Sequence, residues 1–366
     1  MNPEFWNQKR VFVTGHTGFK GSWLCLWLQS LGAEVAGYAL QPPTDPSLFE
    51  LAGVARGMES FVADVRDLNS LQKAMSAVQP EIVIHMAAQA LVRESYVDPV
   101  GSYATNVMGT VNTLESVRHT PSVKAVVVVS SDKCYENRET LWAYNEEHAM
   151  GGHDPYSNSK GCTELVVSAY RRSFFHPEAF ATHGVALGSA RAGNVIGGGD
   201  WAKDRLLPDI LNALIEKRNP VIRNPHATRP WQHVLEPLNG YLTLAEALHR
   251  DGVRHASGWN FGPFEFSDQT VGWVADKLCT LWGGGARREQ DSRPSPHEAT
   301  FLRVDSSRAR AHLGWVPKLD PITTLEWTVN WAKAWTAGDD MRRFTEQQIQ
   351  SFGNRVPFDP LSTRSD

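Results

Sequence analysis

Tyr156 and Lys160 stand four residues apart in the string Tyr156-Ser157-Asn158-Ser159-Lys160, directly after Pro155. On a helix that spacing puts both side chains on one face. A nearby ammonium favours phenolate, so the pair predicts a tyrosine able to act as general base near neutral pH. Ordinary exposed helices also carry such pairs, so the reading gains weight only from its surroundings. Upstream, Ser130-Ser131-Asp132-Lys133 follows the apolar run at 126–129 and supplies hydroxyl, carboxyl and amine groups where a strand would end. Nearer the N-terminus, Thr14-Gly15-His16-Thr17-Gly18-Phe19-Lys20-Gly21 joins a β-rich run to a helical one. Glycines in such a turn let backbone approach a diphosphate, and the helix that follows offers free N–H groups to it. They could also serve tight packing alone, but the strand before and the helix after favour dinucleotide binding.

A dinucleotide fold commonly carries an acidic residue about 20 positions after the glycines, on the adenosine ribose. Here that stretch reads Tyr38-Ala39-Leu40-Gln41, with neither an acid nor an arginine. Charge alone therefore does not separate NAD from NADP. The absent arginine disfavours a 2′-phosphate, and NAD is the expected cofactor.

The elements that must hold these groups alternate. Candidate strands lie at 10–14, 34–40, 60–62, 82–85, 125–130 and 185–191, several of them unbroken apolar runs of the kind that is buried on both faces. Helical patterns at 19–31, 67–77, 103–118 and 157–172 lie between them. The fold class is α/β: a doubly wound parallel sheet of Rossmann type. After it the chain breaks into short helices, including 236–249 and 268–281, separated by loops rich in Gly, Pro and Trp (GGGDW, NPHATRPW, GWNFGP, GGGARRE). This predicts a nucleotide-binding domain over 1–190 and a smaller, irregular α/β substrate lobe over 191–358, with sheet segments interleaved. Residues 359–366 read as a frayed polar tail.

Composition narrows the class further. A net charge of −4 disfavours nucleic acid and membrane surfaces as partners. The four cysteines are scattered, and the histidines show no ligand spacing, so neither a disulfide framework nor a metal site is expected. The first ten residues hold no apolar signal core, and no apolar run has membrane-spanning length, which points to the cytoplasm. Of the 13 tryptophans, Trp6, Trp23, Trp27 and the four-spaced Trp327, Trp331 and Trp335 read as structural, and only Trp201 as a pocket residue.

Several longer strings carry a resemblance: TGHTGFKGSW, HMAAQALVRESY at 85–96, SSDKCYEN at 130–137, YSNSK, RAGNVIGGGDW at 191–201 and RPWQHV at 229–234. Over about 8–330 the chain resembles the extended short-chain dehydrogenase/reductases, and within them the nucleotide-sugar 4,6-dehydratases, most of all their CDP-glucose branch. The resemblance implies a lyase that makes a 4-keto-6-deoxy sugar by internal redox on bound NAD, for deoxysugar and O-antigen lipopolysaccharide synthesis. It implies cofactor contacts from Gly15, Thr17, Gly18, Phe19, Lys20, Gly21, Asp64, Val65, Ala87, Ala88, Gln89, Asn106, Ser130, Tyr156 and Lys160, with Asp64 and Val65 at the adenine. Ser131, Asp132, Lys133, Tyr156 and Lys160 are implied as catalytic. Tyr156 would take the O4 proton, Ser131 would bind that hydroxyl, and Asp132, held protonated, would donate to the departing O6 group. Where dTDP-glucose relatives carry an Asp-Glu pair, this chain has Asp132-Lys133; Lys133 is then a candidate C5 base provided it is neutral, and another group stays open. Ser131, Asn194, Trp201, Arg205, Arg229, Asn260, Arg293 and His297 are implied as substrate-binding, Glu298 beside them. A homodimer, or a dimer of dimers, built on the helices at 103–118 and 157–172 is implied too. A nucleotide-sugar 4-epimerase acting without the Asp132 chemistry, a dehydratase of dTDP-, GDP- or UDP-sugars, and a non-catalytic NAD-sensing regulator are the competing readings.

Overall fold

A computed structural model describes residues 1–140, 142–264, 267–290 and 302–358. Its main sheet contains β1 (Arg10–Thr14), β2 (Glu34–Ala39), β3 (Glu59–Val62), β4 (Ile82–His85), β5 (Ala125–Val129), β6 (Ala186–Arg191) and β7 (Gly258–Asn260). Their spatial order is β7-β6-β5-β4-β1-β2-β3, and every pairing is parallel. The six strands expected from the apolar runs are present, with ends shifted by no more than one residue. The seventh was read as loop because Gly258-Trp259-Asn260 is too short for a period-two pattern to show. It belongs to the segment expected to form the lobe.

Residues of one strand serve opposite faces. Ala125, Val127 and Val129 join one core, while Val126 and Val128 join the other. The first core takes α1 (Phe19–Ser30) and the second takes α2 (Leu68–Val78), α3 (Gly109–Arg118) and α4 (Pro155–Ser173). Double burial explains why the valine run shows no polar alternation. Asp67 caps α2 through Ser70 N, and Asp154 caps α4 through Ser157 N, with Pro155 in its first turn.

The helix expected over 103–118 is interrupted: Ala104–Met108 forms a π-turn ahead of α3. The stretch beyond β6 adds α5 (Leu206–Ile215), α6 (Leu235–Asp251), α7 (Val271–Trp282) and α8 (Pro321–Ala337). α6 packs on the first core, whereas α5, α7 and parts of α8 build a third around Leu211, Val274 and Val329. Residues 268–270, expected to open a helix, pair instead as an antiparallel strand with Thr228–Pro230. Trp6, Trp23, Trp27 and Trp331 are buried. Among the described residues no helix is long and apolar enough to cross a membrane.

Candidate active site at the carboxyl edge of the sheet

Strand order reverses between β1 and β4, and ligands of open α/β sheets sit outside the strand ends at such a point. The glycine loop follows β1, residues 86–89 follow β4, and Ser130–Lys133 follow β5. Gly15 has φ +78°, and a Cβ there would come 2.7 Å from Ala87 N; a Cβ on Gly21 would come 2.1 Å from Gly15 O. Those two positions admit no side chain. Gly18 differs: its added Cβ would meet only Gly15 O, at 3.5 Å, so the loop is open on that side. Gly18 caps α1 without any side-chain acceptor, which leaves first-turn N–H groups facing the opening. This cradle fits a dinucleotide diphosphate.

Around the cradle, Thr17 Oγ1 donates to Leu40 O (2.9 Å), fastening the loop to the end of β2. Thr14 Oγ1 accepts from Met86 N and Ala87 N, both at 3.1 Å, and lies 2.7 Å from His85 Nδ1. Phe19 packs against the first core, Val65 is buried, and half-buried Ala88 lies between Ala87 and Gln89. Asp64, expected at the adenine, turns its carboxylate to Arg66, which donates at 2.8 and 2.6 Å and lowers the acid's pKa. Its carbonyl accepts from Tyr38 Oη at 3.1 Å.

Beyond the cradle lie the reactive groups. Asp132 is 3% exposed, and its Oδ1 accepts from Ser131 Oγ at 2.9 Å. The Ser131 hydroxyl is close enough to the Tyr156 hydroxyl to favour its phenolate, and Lys133 Nζ lies 6.0 Å from the Tyr156 ring centre. Buried Ser130 sits at the end of β5. Lys160 donates from Nζ to Val129 O at 3.3 Å, and burial pushes its ammonium down to about 8. The expectation that Lys160 lowers the Tyr156 phenol is corrected. Burial raises that phenol to about 12, only partly opposed by the neighbouring Ser131 hydroxyl and Arg205. Desolvation of phenolate outweighs the nearby cations.

The expected substrate residues separate into groups. Arg205 faces the same cluster electrostatically, and its Nη1 donates to Asp200 at 3.0 Å. Asn194 follows β6 with φ +46°, its carbonyl accepting from Gln232 N. Arg229 lies half-buried on the short strand Thr228–Pro230, donating to Thr228 O. Trp201, expected to line the pocket, meets Trp331 and Trp335 edge-on with ring centres 5.6 and 5.2 Å apart, as a packing contact. Asn260 is also corrected. Fully buried, it donates to Tyr144 O and Asp305 O and accepts from Tyr135 Oη, so its amide is spent on internal bonds. Arg293 and His297 lie outside the described residues.

Other site-forming residues escaped the sequence reading. Gly193 sets the Asp132 carboxyl: a Cβ there would fall 1.7 Å from Asp132 Oδ2. Its string RAGN was recognised, but nothing local says which side chain fills the space. Glu164, four residues past Lys160 and thus on the same helix face, accepts from Arg191 Nη2 (2.8 Å) and Ser189 Oγ (2.7 Å). Arg191 Nη1 in turn donates to Tyr135 Oη (2.7 Å), tying α4 to the loop that carries Asp132. Asn106, which unlike Gly193 and Glu164 was expected at the site, lies in the π-turn, accepts from Gln89 N and donates to Gln89 O and Ser159 Oγ. It holds the post-β4 segment against the first turn of α4. Among the described residues no cluster of His, Cys, Asp or Glu is arranged to hold a metal ion.

Known proteins share this fold. The chain is 53% identical over 352 residues to the CDP-glucose 4,6-dehydratase of Salmonella typhimurium, covering 96% of this chain and 98% of that protein. A dTDP-glucose 4,6-dehydratase from Streptomyces venezuelae, solved with NAD and TYD bound, has the same fold at a TM-score of 0.74 and 21% identity, with 91% and 99% of the two chains covered. A Thermotoga maritima UDP-glucose 4-epimerase solved with UDP-glucose superposes at a TM-score of 0.75 and 20% identity, covering 89% and 99%. The sequence profile of the GDP-mannose 4,6 dehydratase family matches residues 12–326. The chain belongs to that family.

Proposed function

We propose that this protein is a hydro-lyase that converts CDP-glucose to CDP-4-keto-6-deoxyglucose and water, with NAD as its resident cofactor. The observation that carries the reading is the buried Asp132 carboxyl, seated in the recess left by Gly193 and accepting a hydrogen bond from Ser131, beside Tyr156. A 4-epimerase needs the tyrosine and lysine but has no use for an acid beside them. The 53% identity to the Salmonella enzyme supports CDP-glucose over other sugar nucleotides.

Gly15, Gly18 and Gly21 would hold the diphosphate of NAD, and the absence of arginine in Tyr38-Ala39-Leu40-Gln41 favours NAD over NADP. When bound, NAD supplies the hydride acceptor for C4 and the donor for C6. The chain's own residues move the protons. Ser131 orients the sugar O4 hydroxyl toward Tyr156, which takes its proton. Ketone formation at C4 makes the C5–H acidic; Lys133 removes that proton while Asp132 protonates the departing O6 as water, and Lys133 returns the proton to C5 when C6 is reduced. Arg205, Arg229 and Asn194 hold the substrate diphosphate and nucleotide.

We assign residues 1–190 to the cofactor half and 191–358 to the substrate lobe, β7 being the lobe's contribution to the sheet. The cysteines are free, three of them buried, which suits a reducing cytoplasm. The product, a 4-keto-6-deoxy sugar nucleotide, suits deoxysugar and O-antigen lipopolysaccharide synthesis. A homodimer through the helices around Ala104–Met108 and α4 is supported by Met108 and Leu165, exposed at 50% and 59%.

Turnover of CDP-glucose deuterated at C4 tests the core of this. Deuterium in the product methyl group is the expected result. A product with none there, or with inverted C4 and no keto group, rejects the dehydratase reading.

A further inference from the structure

Four charged side chains gather at the mouth of the cleft, beyond the reactive cluster. Arg93, on the short helix Val92–Val97 that follows β4, places Nη1 2.5 Å from Asp204 Oδ1. The same helix touches the reactive tyrosine, since Tyr156 N donates to Ser95 Oγ at 3.1 Å. Asp204 (φ +61°) immediately precedes Arg205, whose charge reaches Tyr156. Asp209 stands four residues past Arg205 in the first turn of α5, about 6 Å further along the helix. Its carboxylate feels Asp204, Arg223 and Arg93. Arg223 is exposed and follows the short strand Val221–Ile222. The two acids differ. Asp204 is taken by Arg93, whereas Asp209 and Arg223 attract each other without closing an ion pair among the described residues. An acceptor and a donor thus stand across a gap, both open to solvent.

A ligand whose sugar lies at Tyr156 and whose diphosphate passes Arg205 brings its far end to this gap. If the substrate is a sugar nucleotide, as proposed above, that end is its base. Cytosine offers an exocyclic amine beside two acceptors, ring N3 and O2. Uracil and thymine offer a carbonyl oxygen and N3–H in place of the amine and the ring acceptor. A carboxylate accepts from the amine and a guanidinium donates to the acceptors, so the two charges match cytosine. Against uracil or thymine the carboxylate meets the O4 lone pairs and the guanidinium meets N3–H, and both contacts are repulsive. We propose that Asp209, together with Arg223, reads the cytosine edge and sets the preference of this site for cytidine over uridine and thymidine sugar nucleotides. The proposal rests on the sugar-nucleotide reading of the site and adds how the base is chosen.

CDP and UDP differ only in that edge, and calorimetry on the full chain compares their binding. The parent protein should prefer CDP by about tenfold or more. Asp209→Asn, whose amide can serve either base, should lower that preference by roughly tenfold, with the loss of CDP-glucose turnover appearing in KM rather than in kcat. Arg223→Gln should move the ratio the same way by less, and it carries the test should Asp209→Asn fail to fold. Asp209→Glu, which keeps the acceptor, should stay within about threefold of the parent ratio. A ratio unchanged in both Asp209→Asn and Arg223→Gln overturns the proposal. Equal weakening of CDP and UDP also overturns it, since that would assign the pair to the diphosphate or to the surface charges around Arg93. A parent protein that binds CDP and UDP alike would remove the CDP-glucose reading itself, an outcome distinct from the other two.

Discussion

Asp132 owes its place to a missing side chain. The recess it enters exists because residue 193 is glycine, and an alanine Cβ would sit 1.7 Å from its Oδ2. Gly193→Ala should leave the circular dichroism spectrum intact while lowering turnover about 100-fold, the scale expected for an ångström of misplacement. Lys133 is the other side chain whose role can be isolated. If it removes the C5 proton, Lys133→Ala should abolish exchange of that proton with solvent in the bound ketone while C4 oxidation persists; exchange at the parent rate excludes it. At this scale the sequence was informative about groups that act within a few residues of one another. Tyr156 with Lys160, and Ser131 with Asp132, could be read from spacing and strings. Gly193 with Asp132, and Arg93 with Asp204, could not, because those contacts are created by the fold between distant segments. The direction of the Tyr156 shift was also illegible, since it depends on how much water is excluded.

Elements were most legible where burial is complete. The valine run of β5 and the capped starts of α2 and α4 declare themselves through apolar continuity and through Asp67, Asp154 and Pro155. The π-turn at Ala104–Met108 leaves no such mark. Its consequence is chemical: the Asn106 carbonyl accepts from both Thr110 and Thr163 hydroxyls, bracing the turn against α4. The outer side of this helix pair, where Leu165 and Met108 are exposed, is the surface proposed above for a second copy. Light scattering should give twice the chain mass, and Leu165→Arg should halve it without loss of helix content. A monomeric parent protein would refute the interface.

Across the whole molecule, the cleft is held by ties between remote segments, and one of them is unusual. Glu236 on α6 is 1% exposed; its Oε1 accepts from Lys318 N (2.8 Å) and Leu319 N (2.7 Å), and its Oε2 has no partner among the described residues. Burial raises its pKa from 4.5 to about 8. The native state therefore binds more protons than the unfolded chain between those values. Its contribution to stability is full below about 4.5 and falls as pH rises toward 8. Glutamine keeps the acceptor and cannot ionise. Glu236→Gln should match the parent near pH 5 and exceed it near pH 8 by about 4 kcal/mol in denaturant titrations. A gap that stays constant between the two pH values would show that Glu236 does not titrate as argued.

The bonds of Asn260 make the floor of the cleft and its far wall one mechanical piece. Tyr135, three residues past Asp132, hangs on an amide that also grips Tyr144 and Asp305. Damage to that knot would be felt as a wandering acid long before it was felt as melting: a protein still folded, still loaded, and slow to shed water from its sugar.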